Sequence, residues 1–246
     1  MTGTSVLGVK YSGGVMIAAD TLASYGSMAR FKDVERMAKV GDCTLLAAGG
    51  EISDFQHIQD MLGNLTTRDY CVDDGCKLLP GEVHTYLTRV MYQRRNKMNP
   101  LWNSLVVAGF KDGESYLGTV DSIATSYTDD HIATGYGEYL ARPLMRSRFN
   151  PNMSEGDARA LLEDWCVVSF RAAPCPLLTP SPPPPFSSVC SMRVLFYRDC
   201  RTINRIQIAK ATADGTLISP VYSLETKWDY QQFVDPKAGA ENGGSW

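Results

Sequence analysis

Two consecutive apolar hairpins in the first fifty residues constrain this chain more than anything that follows. Residues 5–11 and 15–19 are apolar runs joined through Ser12-Gly13-Gly14, and residues 36–40 and 44–48 are joined through Gly41-Asp42. Short apolar runs bounded by glycine turns predict strands with buried faces. A third hairpin follows at 105–111 and 114–120 around Asp112-Gly113, and a last one at 205–211 and 215–218 around Asp214-Gly215.

Helical spacing fills the intervals. Ile52, Phe55, Ile58 and Leu62 recur at near-helical spacing, and residues 66–80 are polar and read as a loop. Val83, Tyr86, Leu87, Val90 and Met91 form the clearest amphipathic stripe. That helix ends in Arg94, Arg95 and Lys97, either a contact for an anionic partner or cations complementing a helix C-terminus. A helix is predicted over 136–146. Another starts at Ser154, a capping serine with acids in the first turn, and buries Ala158, Leu161, Leu162 and Trp165. Strand pairs and helix pairs in this order predict an α+β sandwich in one domain spanning 1–246, with a flexible tail over 236–246.

Composition narrows the function classes. With 44% hydrophobic residues the chain can bury a substantial core, and a net charge of −3 gives no general attraction to nucleic acid. No apolar run is long enough for a membrane span, and no signal peptide is visible at the start. Seven cysteines, an odd number, predict free thiols in a reducing compartment. Cys71 and Cys76 do not make a CxxC pair, so no metal site is expected.

One stretch breaks the pattern. Residues 167–191 hold seven of the 13 prolines, and proline continues neither a helix nor a central strand. The segment is a polyproline loop, disordered or a ligand for a proline-binding module, or it is translated intron. Its Pro, Leu, Ser and Phe codons are pyrimidine-rich, and Val167 requires a codon beginning GU. Deleting it brings Val194 four positions after Trp165, extending the stripe of Leu161 and Leu162.

The candidate chemistry lies in the opening stretch. Thr4 follows Gly3 at the head of a strand, Asp20 ends the second strand, Arg36 follows sixteen residues later, and Gly49-Gly50 closes the fourth. A threonine hydroxyl becomes a nucleophile when a base serves it, and its own free α-amine can be that base. That requires cleavage at Gly3-Thr4; otherwise Thr4 is simply a threonine in a strand.

Several motifs carry a family resemblance: Gly3-Thr4 before a strand, Val15-Met16-Ile17-Ala18-Ala19-Asp20, and the glycine turn after Leu46-Ala47-Ala48. Residues 98–104, Ala133-Thr134-Gly135-Tyr136-Gly137 and Phe196-Tyr197-Arg198-Asp199 add to them. With these the chain resembles the proteasome β subunits, over nearly all its length apart from 167–191 and the last residues. The resemblance implies the four-layer αββα sandwich of the N-terminal-nucleophile hydrolases. It places the nucleophile at Thr4, the first aspartate at Asp20, the oxyanion glycine at Gly50 and the second aspartate at Asp199, with a later serine replaced by Thr202. Two positions depart: the family's lysine is Arg36 and a serine is Tyr136, which is expected to crowd the place of a small hydroxyl.

These departures imply a non-catalytic, structural member of the β ring of the 20S core, with Arg36 pairing with Asp20 to fix the hairpins. The implied partners are other β subunits in a seven-membered ring, the adjoining α ring, the opposite β ring and assembly chaperones. A tail from Tyr230 onward would embrace a neighbour. The implied location is cytoplasm and nucleus, with no cofactor, nucleic acid or membrane. Family members carry a propeptide, so Met1 is expected to be internal to a longer precursor. Two alternatives stay open: an active threonine endopeptidase using Thr4, and a splice form that cannot assemble.

Overall fold

Alternation along the strands assigns each face of two sheets to a different layer. The computed structural model describes residues 1–72, 77–163, 191–226 and 228. The chain begins with strands β1 (Thr2–Gly3), β2 (Val6–Tyr11), β3 (Gly14–Asp20), β4 (Ala23–Tyr25), β5 (Met28–Phe31), β6 (Met37–Val40) and β7 (Thr44–Glu51). Helices α1 (Ile52–Val72) and α2 (Pro80–Asn96) come next, then β8 (Asn103–Lys111), β9 (Glu114–Val120), β10 (Ser126–Thr128) and β11 (His131–Ala133). Helices α3 (Tyr136–Leu140), α4 (Arg142–Arg148), α5 (Glu155–Glu163) and α6 (Ser191–Arg198) precede β12 (Arg205–Thr212), β13 (Gly215–Ile218) and β14 (Tyr222–Ser223).

Eight strands form one antiparallel sheet in the order β10-β9-β8-β7-β1-β4-β5, with β6 also on β7; six form the other, β11-β2-β3-β12-β13, with β14 also on β12. In β2 and β3, Val6, Val15, Ile17 and Ala19 meet Leu45, Ala47, Val106 and Ala108 of the larger sheet. Their neighbours Leu7, Val9, Met16 and Ala18 point the other way, onto Met145, Leu162 and Leu195 of the later helices. In β7 and β8, Leu46, Ala48, Leu105 and Val107 turn outward onto Phe55, Ile58, Val83 and Leu87 of α1 and α2. Strands buried on both faces read as continuous apolar runs, as these do. The result is helix, sheet, sheet, helix: the αββα order, with its middle core between the sheets.

The structure corrects three local expectations. Helix α1 runs on to Val72, into the expected loop over 66–80. Leu65 packs against its core, and the Thr66 and Thr67 hydroxyls donate to the Gly63 carbonyl at 2.9 and 2.8 Å, so polar residues continue the helix. The helix expected over 136–146 is two helices, α3 and α4. Pro143 stands at the start of α4, where its missing N–H is tolerated, and would interrupt a longer helix. On α6, Met192 and Leu195 enter the core, whereas Val194 is half-buried. The basic residues Arg94 and Arg95 stand in the last turn of α2, as the helix C-terminus reading expects, and Arg94 Nη2 also lies 3.0 Å from His57 Nε2 on α1. The Ser154 cap forms as read: Asp157 N–H donates to Ser154 Oγ at 3.2 Å, and Ser154 Oγ donates to the Asp157 carboxylate at 2.8 Å. Trp165, the stretch 167–191 and the tail over 236–246 lie outside the described residues.

Candidate active site

Arg36 reaches the end of the sandwich from the loop between β5 and β6 and is 1% exposed. Its backbone is fixed first, because the Ala48 N–H donates to the Arg36 carbonyl at 3.0 Å. A guanidinium has five N–H donors in a planar fork, and here each has an acceptor. Nε donates to the Ala48 carbonyl at 3.1 Å. Nη1 donates to the Asp20 carboxylate and, at 3.3 Å, to the Asp20 carbonyl. Nη2 donates to the carbonyls of Thr4 at 2.5 Å and Ser5 at 3.2 Å. One side chain therefore ties β7 of the larger sheet to β3 and to the entry of β2 in the smaller.

Burial dominates the electrostatics of this pair. It pushes the Asp20 carboxyl up from its ordinary 3.8 to about 6; Arg36 opposes the rise and Asp199 adds to it. The same burial lowers the Arg36 guanidinium from its ordinary value, against the pull of Asp20 and Asp199. Arginine starts so far above neutrality that it stays protonated there. Two buried acids thus face one cation.

Thr4 lies between β1 and β2. Thr2 pairs with Glu51 of β7 on one side and with Ser24 of β4 on the other, and Gly3 pairs with Gly50. The nitrogen of Thr4 is therefore an amide following a strand. Its hydroxyl is buried and has no hydrogen-bond partner among the described residues. Gly50 has φ +96°, and a Cβ there would come within 2.1 Å of the Trp102 carbonyl, so only glycine fits. The turn is held by Asn103, whose Nδ2 donates to the Gly49 and Glu51 carbonyls at 3.1 and 2.8 Å.

A cavity of about 200 Å³ opens beside this turn, lined among others by Thr4, Gly50, Ser104, Thr134, Tyr136 and Arg201. Tyr136 is 62% exposed and lines the wall of the cavity. The strand below is pinned through Val6 N–H to Thr134 Oγ1 at 3.0 Å and Gly137 N–H to Ser5 Oγ at 2.9 Å. Asp199 is buried at the end of α6 and accepts from the Arg201 N–H at 3.0 Å. Thr202 turns its hydroxyl onto the carbonyls of Leu195 and Asp199, at 3.2 and 3.1 Å, and serves the helix end.

The structure thus gathers Thr4, Asp20, Arg36 and Asp199 into one neighbourhood, sets Gly50 and Tyr136 on the cavity, and leaves Thr202 to the helix. Sequence reading missed Arg201, Ser5, Ser104 and Asn103. Asn103 and Ser104 fall in the run 98–104 already singled out, and that run was their one signal. Among the described residues no group of three or more His, Cys, Asp or Glu is placed to hold a metal ion, and no helix is long and apolar enough to cross a membrane. Cys43, Cys71 and Cys200 are free thiols.

Comparison with known proteins agrees with the layer order. A family model described as proteasome subunit matches residues 1–166. Proteasome subunit beta type-4 of Arabidopsis thaliana is 47% identical over 246 residues, which is 100% of this chain and 89% of that protein. The beta type-4 subunit of Dictyostelium discoideum is 45% identical over 92% of this chain and 78% of its own. That of Xenopus laevis is 41% identical over 95% and 87%. Similarity of this extent, on an αββα sandwich with its glycine turn and buried aspartate in place, means that the chain belongs to the proteasome-subunit family.

Proposed function

We propose that the chain is a non-catalytic, structural β subunit of the 20S proteasome core, holding its place in a ring whose other members cut peptides. The observation that carries this reading is Arg36. A lysine in a buried site can give up and regain a proton. A guanidinium with all five donors committed to Asp20, Ala48, Thr4 and Ser5 is a fixed cation and a fixed brace. It offers Thr4 no proton acceptor, and Asp20 is engaged with it. The site is degenerate at Arg36 and Tyr136 and retains the backbone shape at Gly50.

The test is peptide hydrolysis by the chain processed to begin at Thr4 and assembled with its neighbours, beside Thr4→Ala and Arg36→Lys variants. The expected result is no hydrolysis that depends on Thr4. Thr4-dependent hydrolysis with Arg36 in place refutes the reading. By the same family membership we infer a seven-membered β ring stacked on an α ring and on a second β ring, assembly chaperones, and a cytoplasmic and nuclear location. Cosedimentation with α and β subunits and fractionation of cells test these. The stretch 167–191 is inferred to be translated intron; a transcript that reads through it as one abundant coding exon overturns that.

A further inference from the structure

Helix α2 ends on a residue that the interior of the fold gives no reason to choose. Lys97 is its C-cap, and the Met98 N–H donates to the Arg95 carbonyl and the Asn99 N–H to the Arg94 carbonyl, each at 3.1 Å. This is the Schellman pattern, which needs a left-handed residue just past the cap. Met98 supplies it with φ 54°. Glycine adopts that conformation freely, whereas a residue with a Cβ is strained in it. The Met98 side chain gains nothing in return from the fold, since it is 91% exposed.

Its neighbours along the chain are of the same kind. Tyr92, near the end of α2, is 53% exposed, and Trp102, in the loop before β8, is 68% exposed. The backbone under that indole is fixed: the Trp102 N–H donates to the Asp54 carboxylate on α1 at 2.9 Å, and its carbonyl accepts from the Glu51 N–H at 2.8 Å. Between the two aromatics come Arg95 and Lys97, neither of which has an acidic partner among the described residues. Cations that complement a helix end are free to meet an acidic surface as well. Tyr, Trp, Met and Arg are the side chains enriched where proteins meet, and a methionine fills irregular apolar gaps.

We propose that the end of α2 is a docking surface anchored by Met98, which enters an apolar pocket with an acidic rim on a neighbouring subunit. Tyr92 and Trp102 flank the anchor, and Arg95 and Lys97 meet the acids of the rim. Contact with the pocket offsets the strain of a left-handed methionine, which nothing in the isolated chain does. That the partner is a subunit rests on the reading of this chain as a member of the ring; the chemistry of its pocket follows from the surface itself.

Competitive assembly tests it. Tagged parent and untagged variant, in equal amounts, are mixed with the α and β subunits, and their ratio in the sedimenting complex is measured. Met98→Gly should leave the denaturant midpoint of the isolated chain unchanged or higher, yet lower its share of the complex by about tenfold. Met98→Leu should keep most of that share. Arg95→Glu combined with Lys97→Glu should also lower it, and the loss should shrink as salt rises. Incorporation of Met98→Gly equal to the parent overturns the proposal, and so does a fall in its midpoint, which would place the work of Met98 inside the fold. Absence of the parent itself from the complex overturns the subunit reading, and the partner named here falls with it, so the two failures are told apart.

Discussion

Arg36–Asp20 and Lys77–Asp42 each join a cation to an aspartate from distant parts of the chain, yet they behave in opposite ways. Both partners of the first are 1% exposed; those of the second are 65% and 75% exposed. In the exposed pair the mutual hydrogen bond and attraction prevail, so Asp42 is lowered and Lys77 raised. In the buried pair desolvation prevails, so Asp20 is raised and Arg36 lowered. The same two charges stabilise ionisation at the surface and oppose it inside. What holds the buried pair together is the surrounding set of hydrogen bonds to Thr4, Ser5, Ala48 and the Asp20 backbone.

Of the changes to these two pairs, removing the buried cation has the largest effect. Arg36→Ala leaves the Asp20 carboxylate and four carbonyls without this donor. Breaking a buried pair from one side costs about 3–5 kcal/mol, read as a fall in the denaturant midpoint at unchanged slope. A loss below about 1 kcal/mol would show that water reaches the site and that the brace is not structural. Arg36→Lys sharpens the point by keeping the charge. A lysine has three donors in place of five, so two acceptors are stranded, at a cost of about 2–4 kcal/mol. If lysine were as stable as arginine, the charge alone would suffice and the fork would be irrelevant.

Much of this architecture was legible in the sequence, and the illegible parts have physical reasons. The β2–β3, β6–β7, β8–β9 and β12–β13 hairpins show as apolar runs bounded by glycine turns, and α2 by its stripe. Strand β1 has two residues, too short for any period, and exists because β4 and β7 bracket it. The β4–β5 hairpin has no alternation to read, since all four residues of β5 are exposed. At the site, the meeting of Asp20 and Arg36 followed from the family's motifs, and the structure adds that Arg36 also reaches the Thr4 and Ser5 carbonyls. Arg201 carried no local signal; it joins the cavity because the turn after α6 folds back beside the glycine turn.

The pH dependence of stability separates the two pairs next. For Asp20 the folded pKa, about 6, lies above the ordinary 3.8. Between those values the folded state keeps a proton that the unfolded state has released, so this contribution to stability is complete below the ordinary value and is lost as pH rises through about 6. Asp42 has the opposite sign: its contribution is present above the ordinary carboxylate value and is lost as pH falls through the lowered one. Asp20→Asn should leave stability at neutral pH within about 1 kcal/mol, because it removes a charge that burial disfavours while keeping an oxygen for Arg36. It should also flatten the decline of stability across the Asp20 window, measured by denaturation at a series of pH values. A decline that survives in Asp20→Asn would assign that slope to another group.

The smallest effect belongs to the surface pair. Asp42→Ala and Lys77→Ala each remove a hydrogen-bonded partner at 2.5 Å, the kind of short contact often taken as a mark of stability. Both side chains stand in water, which screens the attraction, and both lose rotamer freedom to make the contact. The two variants should match the parent in denaturant midpoint within error, alone and together, and raising the salt should not change that. A measurable loss in either, reversed by salt, would mean that the pair is held by the fold more tightly than its exposure implies. Burial would then not be what divides Arg36–Asp20 from Lys77–Asp42.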